Sequence, residues 1–189
     1  MEKYTIELAG LRRELPFVDI GDGMAFASFV IISDTELISR CAPLLAEKIG
    51  TCDALITAEA KGIALAYEIS RLLGLKDFIV ARKSEKSYMA HTVSVPVHSI
   101  TTAKEQVLLL DGADSEKIRG KKVCLLDDVV STGESLTALE NLVTKAGATV
   151  CAKACILAEG EASKRDDLLF LQELPLFRKT SEGGYEVLL

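Results

Sequence analysis

The stretch Val123-Cys-Leu-Leu-Asp-Asp-Val-Val-Ser-Thr-Gly-Glu-Ser135 restricts the fold of this chain more than any other. Its first four residues are apolar without alternation, the pattern of a strand covered on both faces. Two adjacent carboxylates, Asp127 and Asp128, stand at the end of that run. A turn from Asp127 to Thr132 then leads into a helix expected to run to Ala146, with Gly147 as its stop. A strand buried on both sides and followed at once by a helix needs helices packed on each face of its sheet.

The rest of the chain repeats that alternation. Residues from Asp34 to Ile49 carry apolar positions at helical spacing (Leu37, Ile38, Cys41, Leu44, Leu45, Ile49), with Asp34 as cap and Gly50 as stop. Ala54–Thr57 reads as a short buried strand. A turn at 58–62 and a second helix from Ile63 to Leu73, closed by Gly74, follow it. Phe78–Ala81 and Gln106–Leu110 read as strands, and Val150–Leu157 as the last core strand. Thr92–Val97 alternates and contains Pro96, which places it at a sheet edge or end. The expected fold class is therefore α/β, a mainly parallel twisted sheet flanked by helices. The first and last thirty or so residues fall outside the alternation and suit a cap over one edge. The chain divides on this reading into an N-terminal segment 1–33, a core 34–160 and a C-terminal segment 161–189, within one domain.

Composition excludes several other classes. With 49% hydrophobic residues, 13 Gly and 4 Pro among 189, the chain is neither collagen-like nor disordered. A net charge of −6 argues against binding nucleic acid through bulk positive charge. The longest apolar stretch, Met24 to Ile32, is too short to cross a bilayer, so no membrane partner is expected. The first residues lack the basic-then-apolar layout of a secretory signal, and a cytoplasmic location is expected. The five cysteines form no CxxC and are expected to be structural, as is His98; with only two histidines, no zinc site is expected.

The chemistry lies at the expected carboxyl ends of strands, where open α/β sheets bind ligands. A helix start carries free N–H groups and partial positive charge, which suit a phosphate. Ser131, Thr132 and Ser135 add hydroxyl donors, and Gly133 lets the backbone approach closely. Paired carboxylates accept hydrogen bonds from a vicinal diol. Acids and turn together describe a site for a sugar phosphate. Taken alone, the acidic doublet would read as a capping turn. There is no Walker GxxxxGK[ST], and Gly21-Asp-Gly23 lacks both the third glycine and the preceding strand of a dinucleotide fingerprint.

LLDDVVSTGES (residues 125–135) resembles the phosphoribosyl-pyrophosphate (PRPP) motif of type I phosphoribosyltransferases. Thr57-Ala-Glu-Ala-Lys-Gly62 is similar to the pyrophosphate loop of the purine branch. Ala81-Arg-Lys-Ser-Glu-Lys86 is similar to the basic start of its mobile loop. The resemblance covers about Asp19 to Leu169 and is nearest to adenine, archaeal-type purine and xanthine phosphoribosyltransferases.

The resemblance implies a set of roles. Val129, Val130, Ser131, Thr132, Gly133, Glu134 and Ser135 would form the 5′-phosphate loop. Glu134 departs from the small residue often found there and would contribute only its backbone N–H. Asp127 and Asp128 would hold the ribose hydroxyls, directly or through Mg²⁺-bound water, with Mg²⁺ arriving on the pyrophosphate rather than in a carboxylate cage. Ala60, Lys61 and Gly62 would offer N–H groups to pyrophosphate. A solvated lysine is an equal reading for Lys61, and a structural hydrogen-bonding role an equal reading for Glu59. Arg82, Lys83 and Lys86 make a locally positive spot suited to polyphosphate. Lys86 and Tyr88 would belong to a loop, 84–91, that closes over the substrates; His91 reads as a loop histidine. A hood from the two terminal segments would cover the base, with Phe17, Phe26, Phe29 and Glu159 as base-binding candidates. Each phenylalanine taken singly reads as core.

The implied activity joins PRPP and a free purine to give a nucleoside 5′-monophosphate and pyrophosphate, in a homodimer. The stretch Ile156-Leu-Ala-Glu-Gly160 has no lysine of the kind that 6-oxopurine enzymes present, and an acceptor such as Glu159 suits the exocyclic amine of adenine. The competing readings are transfer to hypoxanthine, guanine or xanthine, and a PRPP-sensing regulator without catalysis. A pyrimidine enzyme fits the Glu-Ala-Lys-Gly turn less well.

Overall fold

The apolar run at 123–126 lies in the middle of a parallel sheet, buried on both faces, in a computed structural model that describes residues 2–97, 106–181 and 183–188. The chain begins with three antiparallel strands, β1 (Lys3–Leu8), β2 (Leu11–Gly21) and β3 (Met24–Ala27), before α1 (Thr35–Ile49). Next come β4 (Ala54–Ala58), α2 (Ile63–Leu72) and β5 (Ile79–Ala81). A ribbon of β6 (Val93–Val97) and β7 (Gln106–Leu110) leads to α3 (Gly112–Ile118), β8 (Lys122–Val130) and α4 (Glu134–Lys145). The chain closes with β9 (Thr149–Glu159), a 3-10 turn at Gly160–Lys164, β10 (Leu169–Leu174), β11 (Leu176–Lys179) and β12 (Tyr185–Leu188).

Five strands in the order β10-β9-β8-β4-β5 form the parallel core sheet. Every residue of β4 is buried, as parallel strands require when helices cover both faces. Leu55, Ile56, Leu125 and Leu126 are fully buried; each such side chain contributes on the order of 2 kcal/mol, so the sheet centre is a firm base for the residues at its carboxyl ends. Among the described residues no helix is long and apolar enough to cross a membrane.

The turn expected from Asp127 does not begin there. β8 continues to Val130 because Val129 and Val130 keep pairing with Leu157 and Ala158 of β9. β9 is not the last core strand, since β10 adds a parallel edge strand beyond it. A strand does precede Gly21-Asp-Gly23, and the three residues close the antiparallel hairpin of β2 and β3. Helix α3, GADSEKI, was not anticipated; only Ser115 and Ile118 are buried, too few positions to show a helical period.

The terminal segments build a second five-stranded sheet, β1-β2-β3-β11-β12, while β10, also C-terminal, stays with the core. Its inner face contributes Ile6, Leu8, Leu15 and Phe177 to one apolar cluster shared with α1 and the core sheet. Arg13 ties the two layers together: its guanidinium donates to both Asp34 oxygens, at 2.6 and 3.0 Å, and to Glu36 at 2.8 Å. Asp34 also accepts from the Leu37 N–H as the α1 cap, a contact worth about 1 kcal/mol. In the β6–β7 ribbon Pro96 sits on a strand with one described partner, the edge setting in which proline is tolerated.

Candidate active site

Two strand ends and the turns that leave them converge at the carboxyl edge of the core sheet. Strand alternation alone would turn Asp127 and Asp128 to opposite faces. Instead the Asp127 carboxylate bends forward to accept from the Asp128 N–H at 2.9 Å, which keeps the two acids within reach of each other. Asp128 is 1% exposed and neither of its oxygens accepts a hydrogen bond. Lys61 Nζ stands 2.9 Å from its Oδ2, an ionic contact too oblique to serve as a hydrogen bond. A buried carboxylate left this way is a standing demand for donors, the role a diol or metal-bound water fills.

Burial first, and the neighbouring Asp128 charge second, push the Asp127 carboxyl up to about 7, with Lys61 opposing. The sign follows directly. A folded-state value raised above the ordinary carboxylate range favours the protonated form, so Asp127 costs stability as pH rises from that range through about 7. A ligand that needs both acids as acceptors binds the ionised form and releases a proton. Ribose 5-phosphate affinity is therefore expected to strengthen between pH 6 and pH 8, and this part of the dependence to flatten in Asp127→Asn. Calorimetry in buffers of different ionisation enthalpy reads the proton release, and no release at pH 6.5 would contradict the assignment.

The turn after β4 lies alongside the acids. A Cβ on Gly62 would overlap Thr57 Oγ1, so only glycine lets this turn fold so closely over the end of β4, with Asp127 Cα of β8 at an ordinary contact distance of 3.8 Å. The Glu59–Ala60 peptide is cis. Glu59 reaches across to the segment after β5: its Oε1 accepts from the Lys83 N–H at 2.6 Å and its Oε2 lies 3.1 Å from Arg82 Nε. Arg82 itself pairs through its backbone with Leu109 of β7. These contacts give Glu59 a structural role. They also place Arg82 and the Lys83 backbone beside the 58–62 turn.

The turn after β8 forms a cavity of about 50 Å³ lined by Ser131, Thr132, Gly133, Ser135 and Asp127, among others. That exceeds the room one water requires and suits a small tetrahedral group. Gly133 is left-handed, φ 82°, and directly precedes α4, whose first N–H groups lack helix partners. Glu134 opens α4, and its N–H lies 3.4 Å from Thr132 Oγ1.

Other candidates are more scattered. Lys86 Nζ donates to Ser84 Oγ at 2.6 Å, and Tyr88 is 68% exposed, so neither touches the acids in this conformation. His91 sits in a left-handed turn, and His98 lies outside the described residues. Burial pushes the thiols of Cys41, Cys52, Cys124 and Cys155 up, which leaves them unreactive.

The phenylalanines part company. Phe17 stacks on Tyr185, centroids 4.0 Å apart, and meets Phe177 edge-on at 4.8 Å, so it belongs to the hood's own packing. Phe29 is 5% exposed in the core. Phe26 differs: it pairs with Leu176, whose side chain packs against Gly160 next to Glu159. Burial raises the Glu159 carboxyl and the nearby Lys61 charge lowers it, which places both groups in one neighbourhood. Leu176 and Arg165, which abuts Gly133, were missed by sequence reasoning; neither lies in a motif, and only the folded chain brings them to the site.

Residues 32–174 match the phosphoribosyl transferase domain family. A hypoxanthine/guanine phosphoribosyltransferase of Methanococcus voltae is 31% identical over 140 residues, 74% of this chain and 71% of that protein. One from Methanotorris igneus is 33% identical over 112 residues, 59% of this chain; the match spans 57% of that relative, less than two thirds of its length. The crystal structure of an adenine phosphoribosyltransferase from Thermoanaerobacter pseudethanolicus shares the fold, with a TM-score of 0.69 at 18% identity, covering 84% of this chain and 95% of that one. The chain belongs to the phosphoribosyl transferase family. Its parallel core under an antiparallel hood is the type I arrangement of that family.

Proposed function

We propose that this chain is a purine phosphoribosyltransferase that joins PRPP to a free purine base, adenine first, giving a nucleoside 5′-monophosphate and pyrophosphate. The observation that carries the reading is the convergence of two adjacent acids, one of them (Asp128) buried without a hydrogen-bond donor, with two turns suited to anions. Ribose hydroxyls on Asp127 and Asp128, and the 5′-phosphate on the 131–135 turn, fix the sugar between them, and such positioning supplies much of the rate. As the bond from the sugar carbon to pyrophosphate breaks, the Ala60–Gly62 turn, Arg82 and Lys83 stabilise the charge gathering on the leaving group. The base nitrogen attacks that carbon from the opposite face and its proton passes to solvent. No covalent enzyme intermediate is needed.

Mg²⁺ fits this chemistry. The Asp128 oxygens, which accept no hydrogen bond among the described residues, suit its water shell, and among those residues no cluster of three ligating side chains would cage it. When bound with pyrophosphate it supplies charge neutralisation of the leaving group.

For the base, Glu159 at the end of β9 is the discriminating residue. Ionised, it accepts from the amine of adenine; protonated, it donates to a 6-oxo group. No lysine competes for the role on this strand: Lys153 is held by Glu140 and Asp167. The raised Glu159 carboxyl, together with the hypoxanthine/guanine relatives, favours a second reading, a 6-oxopurine substrate. Protein, PRPP and Mg²⁺ mixed separately with adenine, hypoxanthine, guanine and xanthine decide the matter, with nucleotide and pyrophosphate measured. Nucleotide from adenine is expected. Product from a 6-oxopurine alone would establish the second reading, and PRPP binding without turnover on any base would establish a sensor.

A further inference from the structure

The cavity at the start of α4 has an unbalanced charge. Backbone, hydroxyls and apolar side chains line it together with one acid, Asp127, and no cation is among the described residues lining it. A phosphate monoester there carries nearly two negative charges at neutral pH. Amide dipoles offset part of this, and a full positive charge close behind offsets more.

One guanidinium reaches the turn from outside. Arg165 follows the 3-10 turn that leaves β9, and its Nη1 presses on Gly133 so closely that a Cβ there would overlap it. The other edge of the guanidinium is taken: Nε and Nη2 donate to the two Asp167 oxygens, each at 2.9 Å. Asp167 also receives Lys153 Nζ at 2.9 Å, and Lys153 lies 2.8 Å from Glu140 of α4. The fork is thus braced against β9 and α4 and is only 29% exposed, with one nitrogen turned to the loop. An ordinary surface ion pair would be worth little and would not constrain a glycine on another element.

The geometry points to Arg165 as the positioning residue and counter-charge of the 5′-phosphate subsite, aimed by Asp167. This rests on the phosphoribosyl reading above. Arg165→Gln, Arg165→Lys and Asp167→Asn test it, with ribose 5-phosphate and inorganic pyrophosphate titrated separately in Mg²⁺ buffer. Arg165→Gln is expected to weaken ribose 5-phosphate about tenfold while pyrophosphate stays within about twofold. Arg165→Lys should recover part of the loss, keeping the charge without the fork. Asp167→Asn, which leaves the charge but loosens its aim, should weaken the same ligand about threefold and tests the idea even if Arg165→Gln fails to fold. Equal weakening of both ligands, or no change in either, would overturn the proposal. A wild-type protein that binds pyrophosphate but no ribose 5-phosphate would sink the phosphoribosyl reading itself.

Discussion

Asp127→Asn combined with Asp128→Asn is expected to lower turnover by on the order of 10³-fold or more while leaving the protein folded. The amides keep the shape of the carboxylates, so the packing around the end of β8 survives. They do not keep the function, because an amide presents one acceptor and two donors where the sugar hydroxyls and any metal-bound water need acceptors. Stability should not fall. The pair costs the fold energy when ionised, since Asp128 is buried without hydrogen bonds and Asp127 is pushed up to about 7. Lys61 loses its ionic partner, but half its side chain is already in water. The thermal midpoint of the variant is therefore expected to match the wild type at pH 5 and exceed it at pH 8. Turnover within tenfold of wild type would remove the acids from the mechanism.

Gly62→Ala should have the next largest effect. The new methyl would meet Thr57 Oγ1, and Thr57 is fully buried and β-branched, so it cannot swing aside. Overpacking of this kind costs about 1–3 kcal/mol. The turn would also lift away from the end of β4, and a shift of about 1 Å at such a site costs on the order of 10²-fold in rate. Thr57→Ala removes the colliding atom and gives up only a weak 3.4 Å contact to the Ala58 carbonyl. The double variant is thus expected to regain most of the stability and PRPP affinity lost by Gly62→Ala, the non-additivity of residues in contact. An unchanged midpoint and unchanged PRPP affinity in Gly62→Ala would show that the turn does not depend on this close passage.

Most helices and core strands were legible because burial on both faces writes itself as unbroken apolar runs, in 54–56, 123–126 and 154–157. Helix α1 was legible from Asp34 to Gly50 because its cap and stop chemistry frame a clear period. The overrun of β8 was not: polar residues in a strand look like a turn unless the neighbouring strand is known to pair beyond them. The terminal segments were legible as a hood, but the strands that build it were not. Arg13 occupies an inward position of β2, a place a charge can hold only because Asp34 and Glu36 of another element receive it. The site divides the same way. The two turns and the acids lie in contiguous motifs, whereas the packing of Phe17 on Tyr185 and the approach of Arg165 to Gly133 join residues from distant parts of the chain.

A crystal structure of the protein with ribose 5-phosphate, pyrophosphate and Mg²⁺ tests the central claim most directly. The account predicts the sugar hydroxyls on Asp127 and Asp128, the phosphate on the N–H groups of 131–135, pyrophosphate on the 60–62 turn, and Lys61 drawn away from Asp128. Sugar phosphate bound elsewhere, with Lys61 still paired to a buried Asp128, would contradict it.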